Sequence, residues 1–146
     1  MINSKLIYSG GILLTTKLSI QQRFEALDLW HKVGFQFVKA ENGYAEIHLP
    51  FKKEIENTSG TLHGGIIMMA LDNVMGMATM SVGFDNVLTI QMETRFIRQG
   101  DEGIQKITGH VIEKTRSTVI VEGRIHNPAG ELVALCTATF KGIIEK

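Results

Sequence analysis

Hydrophobic residues recur along the chain with two periods, and each period predicts a different kind of element. Helical spacing over Ile20–His31 predicts a short amphipathic helix, with its apolar positions at Ile20, Phe24, Leu27 and Trp30. A longer run from Gly64 to about Met80 is apolar on nearly every side. A helix of that kind is normally central and covered all round by other structure.

The remaining patterned segments predict strands. Phe35–Ala40 and Tyr44–Leu49 flank Glu41-Asn42-Gly43, and Asn-Gly supplies the positive φ that a tight hairpin needs. After the long helix, alternation with polar residues predicts a strand that buries Leu88, Ile90, Met92 and Phe96 on one face. Three further strands are predicted after it, at Ile104–Lys114, Thr118–His126 and Leu132–Lys141.

The order of these elements predicts the fold class. Short turns between the last four strands favour antiparallel pairing. A sheet that must bury a single apolar helix is expected to curl around it. The sequence therefore predicts an α+β domain, with an antiparallel sheet of five to six strands wrapped around one long central helix.

Length and charge narrow the possible functions. The chain has 146 residues with 15 basic and 15 acidic side chains, so its formal net charge is zero. That balance gives no global reason to bind nucleic acid, and an anionic ligand would need a local basic group. Without repeats or linkers, residues 19–146 read as a single domain after an N-terminal arm, 1–18. Within the arm, Ile7–Leu14 is too short for a membrane span, and no cleavage pattern for a targeting segment follows it.

Cys136 is the only cysteine, which rules out an intrachain disulfide and a cysteine-based zinc site. A reducing cytoplasm fits this usage. Because Cys136 shares a strand face with Leu132, Ala134 and Ala138, it is predicted to be a core residue and not a nucleophile.

The most informative residue is Asp72, a carboxylate inside the most apolar helix. An unpaired buried carboxylate costs several kcal/mol, so hydrogen bonds, a shifted pKa or an adjacent cavity must compensate. Helical geometry places Gly65, Asp72 and Gly76 within roughly 40° of one another, which leaves room beside the carboxylate. Two interpretations stay open from spacing alone: a functional cavity, or a buried hydrogen-bonded residue that fixes a dimer register.

His63-Gly64-Gly65 stands where this helix begins. The first N–H groups of a helix have no internal acceptor, and glycine lets a ligand oxygen approach them, as an oxyanion would. His63 is either an acid–base group or a loop histidine bonded to the backbone. The other four histidines have no metal-pair spacing and are interpreted as structural or exposed: His31, His48, His110 and His126. No metal site and no nucleotide-binding motif is predicted, so no cofactor is expected.

The motif Asn57-x-x-Gly60-x-x-His63-Gly64-Gly65, followed by Leu71-Asp72, resembles the signature of hotdog-fold acyl-CoA thioesterases of the PaaI-like group. The resemblance extends from about Val33 to Lys141. It implies a hotdog fold and hydrolysis of an acyl-CoA to free acid and coenzyme A, which is part of the substrate. One departure is Gln99 after Arg98, where related sequences often have proline.

The resemblance also implies the roles of individual residues. The Gly64 N–H would polarise the thioester carbonyl, and Asp72 would act as general base or nucleophile. Asn57 would position the water or the thioester, and Thr89 would hold the water or the carboxylate. His63 and Gly65 would flank the substrate, and the coenzyme A phosphates would meet basic groups such as Lys114, Arg116 and Lys141.

In this family the site is shared between subunits, with Gly64 of one facing Asp72 of the other, in dimers that commonly pair into tetramers. Asp72 should then look badly buried in a single chain and reasonable only in a dimer. Two alternatives remain. A non-catalytic acyl-CoA-binding protein would have no need of the water-activating set, and a hydratase or dehydratase would need a second acid–base group that the sequence does not offer. The predicted location is cytoplasmic, without a membrane or nucleic-acid partner.

Overall fold

The computed structural model describes residues 4–9 and 12–146, with side chains from Lys17 onward. The predicted arm, 1–18, lies partly outside the described residues. Its described backbone forms two antiparallel strands in a small sheet of their own, β1 (Ser4–Ser9) and β2 (Ile12–Lys17).

The part of the chain that follows β2 forms a larger sheet and the α-helices. The helices are α1 (Ile20–Glu25), α2 (Asp28–Val33) and α3 (Gly64–Met80), and a short 3-10 turn covers Lys53–Ile55. The strands are β3 (Gln36–Glu41), β4 (Tyr44–Pro50), β5 (Asn86–Phe96), β6 (Ile104–Lys114), β7 (Thr118–His126) and β8 (Leu132–Ile143). They form a six-stranded antiparallel sheet in the order β3-β4-β6-β7-β8-β5, against which α3 packs. The predicted α+β hotdog fold is confirmed.

The single helix predicted over Ile20–His31 is wrong, because the structure has two short helices there. Leu27 is extended, with φ −89° and ψ 127°, and separates α1 from α2. One continuous helix would place residues 24 and 30 about 120° apart on its surface. The break instead brings Phe24 against Trp30, edge to face at 5.8 Å, and Trp30 in turn packs 5.1 Å from Phe35.

Two glycines show how local sequence sets the fold. The β3–β4 turn has positive φ at both Asn42 (51°) and Gly43 (79°), as predicted for a tight Asn-Gly hairpin. Gly109 on β6 lets the sheet approach the central helix closely. A Cβ at that position would lie 2.8 Å from the Val74 carbonyl oxygen of α3.

The buried face predicted for β5 is wrong. Leu88, Ile90 and Phe96 are 56%, 59% and 56% exposed, and only Met92 of the predicted set is half-buried. A bulge between Thr89 and Gln91 interrupts the alternation, so Thr89 faces α3 instead of Leu88. The strand also lies at the edge of the sheet, beside β8 and not beside β6, so one side of it has no neighbouring strand among the described residues.

The core lies between the sheet and the second half of α3. Every residue of α3 from Val74 to Met80 is buried, whereas the first turns keep Met68 and Met69 half-exposed. Cys136 is fully buried on β8, which confirms its predicted place in the core. None of the helices in the described ranges is long and apolar enough to cross a membrane.

Candidate active site

Asp72 and Thr89 form the polar centre of the candidate site. Asp72 lies halfway along α3, and the Thr89 hydroxyl of β5 donates to its Oδ1 at 2.6 Å. Asp72 is half-buried, so the expectation of a badly buried carboxylate in a single chain is wrong. The hydroxyl and an open pocket compensate for its burial within one subunit.

A pocket of about 160 Å³ begins at this pair. The α3 side of the pocket carries Gly76 and Met80, one and two turns beyond Asp72, and Asn73 beside it. The sheet side carries Asn86, Val87 and Phe140. The third side comes from Arg23 and Phe24 of α1 and from Leu27, which lies between α1 and α2. The arrangement is a small, mostly apolar pocket with a carboxylate and a hydroxyl at one end.

The start of α3 carries a second set of predicted site residues. His63 caps the helix, and its Nδ1 accepts a hydrogen bond from the Gly65 N–H at 2.8 Å. This hydrogen bond engages both the His63 ring and the Gly65 N–H. Of the two predicted alternatives for His63, the structure therefore has the loop histidine bonded to the backbone. Among the described residues, the Gly64 N–H has no acceptor. It is therefore the donor at this end of α3 that remains available to an oxyanion.

Asn57 lies beside this helix start but is occupied by its own loop. Its Oδ1 accepts from the backbone N–H groups of Ser59 and Thr61, and its Nδ2 lies 2.9 Å from the Thr61 hydroxyl. Asn57 and Gly64 together line a second pocket of about 290 Å³, with Phe96 and Arg98 on its far side. Asn57 thus shapes the loop that presents Gly64.

The two halves of the predicted site do not meet within one chain. Gly64 and Asp72 are eight residues apart on a straight helix, or about 12 Å along its axis. They line different pockets. A single substrate carbonyl cannot contact both groups of the same α3.

The three predicted phosphate ligands lie near one another at the β6–β7 turn and the neighbouring end of β8. Arg116 and Lys141 are exposed, and Lys141 pairs with Thr118 across the strands. Lys114 is engaged: its Nζ donates to the Val82 carbonyl at 2.7 Å and lies 4.9 Å from the centre of the Phe84 ring.

The remaining reactive side chains do not assemble into a site. Burial raises the pKa of the Cys136 thiol, and the Asp72 charge acts in the same direction, which disfavours a thiolate. His31 and His48 bond to the Glu25 carbonyl and the Glu46 carboxylate, while His110 packs on Tyr44. Within the described part of the chain, no group of three His, Cys, Asp or Glu residues could hold a metal ion.

Sequence reasoning missed the pocket wall. Phe24 and Leu27 were recognised as apolar helix positions, but nothing in their spacing indicates that α1 lies over Asp72. Asn86 stands in a predicted turn cluster, where polar residues are ordinary. Asn73 was the one visible signal, since it is a second polar residue next to Asp72 inside the apolar helix.

Known proteins resemble this chain in sequence and in fold. The profile of the thioesterase superfamily matches residues 59–134. A Saccharolobus solfataricus protein named "Putative esterase SSO2140" is 31% identical over 119 residues, covering 80% of this chain and 84% of that protein.

Solved structures share the fold. The Streptococcus mutans protein smu.793, solved bound to acetyl CoA, has 26% identity and a TM-score of 0.72, over 77% of this chain and 92% of that one. The Escherichia coli PaaI protein has 20% identity and a TM-score of 0.79, over 86% and 93% of the two chains.

Proposed function

Because the chain belongs to the thioesterase superfamily, as a PaaI-like hotdog thioester hydrolase, we propose that its substrates are acyl-CoA thioesters. The observation that carries the proposal is the Asp72–Thr89 pair at the end of an apolar pocket. The pocket would take the acyl group and place its carbonyl next to the carboxylate. The S. mutans relative bound to acetyl CoA supports this substrate class.

Asp72 acts on the water or on the thioester carbon. As a general base, its carboxylate takes a proton from water while the water oxygen attacks the carbonyl carbon. The carbonyl oxygen becomes an oxyanion, which the Gly64 N–H stabilises. The C–S bond then breaks, and the leaving thiolate takes the proton back from Asp72, giving free acid and coenzyme A. As a nucleophile, Asp72 would instead attack the carbonyl carbon and expel the coenzyme A thiolate, which takes a proton from solvent, and water would then hydrolyse the resulting anhydride to free acid and the Asp72 carboxylate.

The catalytic groups come from two subunits in this proposal. Gly64 and Asp72 are separated along one helix, and β5 exposes apolar side chains at the sheet edge between their pockets. A second copy docked along β5 would cover Leu88 and Ile90 and bring its own Gly64 towards Asp72. The assembly is a homodimer, and two dimers pair into a tetramer.

The direct test is Asp72→Asn, which keeps the shape of the side chain and removes its basicity. Released thiol is measured with an acyl-CoA panel, and kcat is expected to fall about 10²–10⁴-fold, the usual contribution of a positioned acid or base. The matched control is Asp101→Asn, because Asp101 is an exposed carboxylate outside both pockets. Near-normal turnover in the folded Asp72→Asn variant would remove Asp72 from the chemistry.

Turnover in ¹⁸O-labelled water separates the two roles of Asp72. If water attacks the Asp72 carbonyl of the anhydride, label enters the Asp72 carboxylate, which mass spectrometry of its peptide detects, whereas the general-base route never labels that peptide. If the peptide stays unlabelled, trapping of an Asp72 acyl adduct with hydroxylamine distinguishes attack at the acyl carbonyl of an anhydride from general-base catalysis.

Mixing two inactive variants tests the shared site. Asp72→Asn is combined with Gly64→Val, whose side chain would block approach to the N–H. If each site uses both subunits, hybrid dimers contain one intact site and regain activity. If the mixture stays as inactive as its components while hybrids form, the two groups do not act across an interface.

A further inference from the structure

The α1 segment and Leu27 lie outside the region that matches the superfamily profile, yet they complete the pocket next to Asp72. We propose that α1 and Leu27 form the specificity wall of this enzyme, bordering the acyl pocket so that it accepts compact acyl groups of about six carbons. The inference rests on the proposed function and adds the acyl class and the residues that select it.

The pocket runs along one stripe of α3. Asp72, Gly76 and Met80 follow one another at four-residue spacing, so the stripe extends about 12 Å from the carboxylate to Met80. Val87 and Phe140 face this stripe from the sheet. The polar pair at one end would hold the thioester, and the acyl group would lie over Gly76 towards Met80.

The wall opposite α3 is held firmly in place. Phe24 packs edge to face on Trp30, which is only 3% exposed. A capping box between Ser19 and Gln22 fixes the start of α1. The Arg23 guanidinium donates to the Asp85 carbonyl, which ties α1 to the segment that leads into β5. This side of the pocket is therefore fixed relative to the start of β5.

The volume sets the size of the acyl group. An apolar cavity of about 150 Å³ is large enough to bind benzene, and this pocket has about 160 Å³. A six-carbon acyl group fills that space, whereas a long fatty acyl chain would have to extend past Leu27, which is 45% exposed at the rim, or past Met80.

Two substitutions change the pocket in opposite directions. An alanine Cβ at Gly76 would stand 3.5 Å from Val87 Cγ2 and 3.7 Å from Phe140 Cε1, which fills the space without a clash. Leu27→Ala opens the outer wall. Leu29→Ala is the matched control, because Leu29 is 54% exposed on α2 and does not line the pocket.

The experiment measures kcat/KM of the full-length protein for acetyl-, hexanoyl- and decanoyl-CoA by thiol release, with thermal midpoints to verify folding. One methylene in an apolar pocket is worth about tenfold or more in kcat/KM. We expect the hexanoyl-to-acetyl ratio to fall about tenfold in Gly76→Ala, and the decanoyl-to-hexanoyl ratio to rise about tenfold in Leu27→Ala. Leu29→Ala keeps both ratios within about twofold of the wild type.

The outcomes separate the two proposals. Wild-type protein that releases no thiol from any of the acyl-CoAs overturns the proposed function, and this inference falls with it. An active wild type that prefers decanoyl-CoA, or variants whose ratios match those of Leu29→Ala, overturns the inference alone. If one variant does not fold, the other decides, because each tests a different wall of the same pocket.

Discussion

Gly76→Ala has a second consequence, for stability, that can be worked out from the structure. Gly76 is buried in the middle of α3, where glycine is unfavourable because it loses more backbone freedom on folding than alanine does. The alanine is worth about 1 kcal/mol in helix propensity. Its methyl group, in contact with Val87 and Phe140, adds up to about 0.8 kcal/mol of burial. The variant should therefore be more stable by about 1–2 kcal/mol.

The assay is urea unfolding at one fixed protein concentration, since subunit association also contributes to apparent stability. The midpoint should rise with an unchanged m value, and the thermal midpoint should rise by about 4 °C. The control is Gly109→Ala, whose Cβ would lie 2.8 Å from the Val74 carbonyl oxygen in the α3 backbone. Because backbone cannot move aside cheaply, that variant should lose about 1–3 kcal/mol.

The stability of Gly76→Ala can refute the reasoning. A loss of stability would mean that the space beside Gly76 is already filled, and a pocket along α3 would not exist in solution. If the variant is more stable but no longer hydrolyses hexanoyl-CoA, Gly76 lowers the stability of the fold and is needed to keep the pocket open. Such a trade of stability for activity is common at active sites.

Two further predictions concern the polar groups of the site and of the outer sheet face. Thr89→Ala removes the hydroxyl that holds the Asp72 carboxylate in place, and because a misplaced catalytic group can cost about 100-fold, kcat for acyl-CoA hydrolysis should fall about 10–100-fold. Thr89→Ser should restore most of it, and equal rates in both variants would contradict a role for the hydroxyl. Burial, with the charges of Arg124 and Lys106, lowers the pKa of His126 in the folded protein. The imidazole therefore binds a proton more tightly in the unfolded chain, and the free energy of unfolding should fall as pH drops below about 6.5. His126→Gln should flatten that decline in unfolding free energy between about pH 7 and 5, whereas a slope that persists, or that the exposed His110→Gln control flattens equally, would contradict it.

Elements with strong local signals could be predicted from the sequence. The Asn42-Gly43 turn has few alternatives, since two adjacent residues must adopt positive φ. The bounds of α3 follow from His63-Gly64 at its start and a largely apolar run to Met80, interrupted at Asp72 and Asn73. The place of Cys136 in the core follows from strand alternation alone.

The errors occurred where tertiary packing decides. The bulge at Thr89 reversed the face of β5, and the pairing of Phe24 with Trp30 broke the predicted first helix. Each depends on a single irregular residue that periodicity does not show: the bulged residue between Thr89 and Gln91 in β5, and the extended Leu27 between α1 and α2. The same limit explains the missed pocket wall, because sequence periodicity shows that a helix has an apolar face but not what that face covers.

The exposure of β5 and the position of Asp72 are best explained together. Edge strands that expose apolar side chains invite pairing with another chain, and monomeric proteins usually protect such edges with charges or proline. Here Leu88 and Ile90 are more than half exposed next to Thr89, which holds Asp72. One hydroxyl and an open pocket already stabilise the Asp72 carboxylate within one chain, so the group that the proposed dimer adds is the oxyanion donor. In the proposed dimer, the edge that would be a liability in a monomer becomes the surface through which a second subunit would supply the Gly64 N–H.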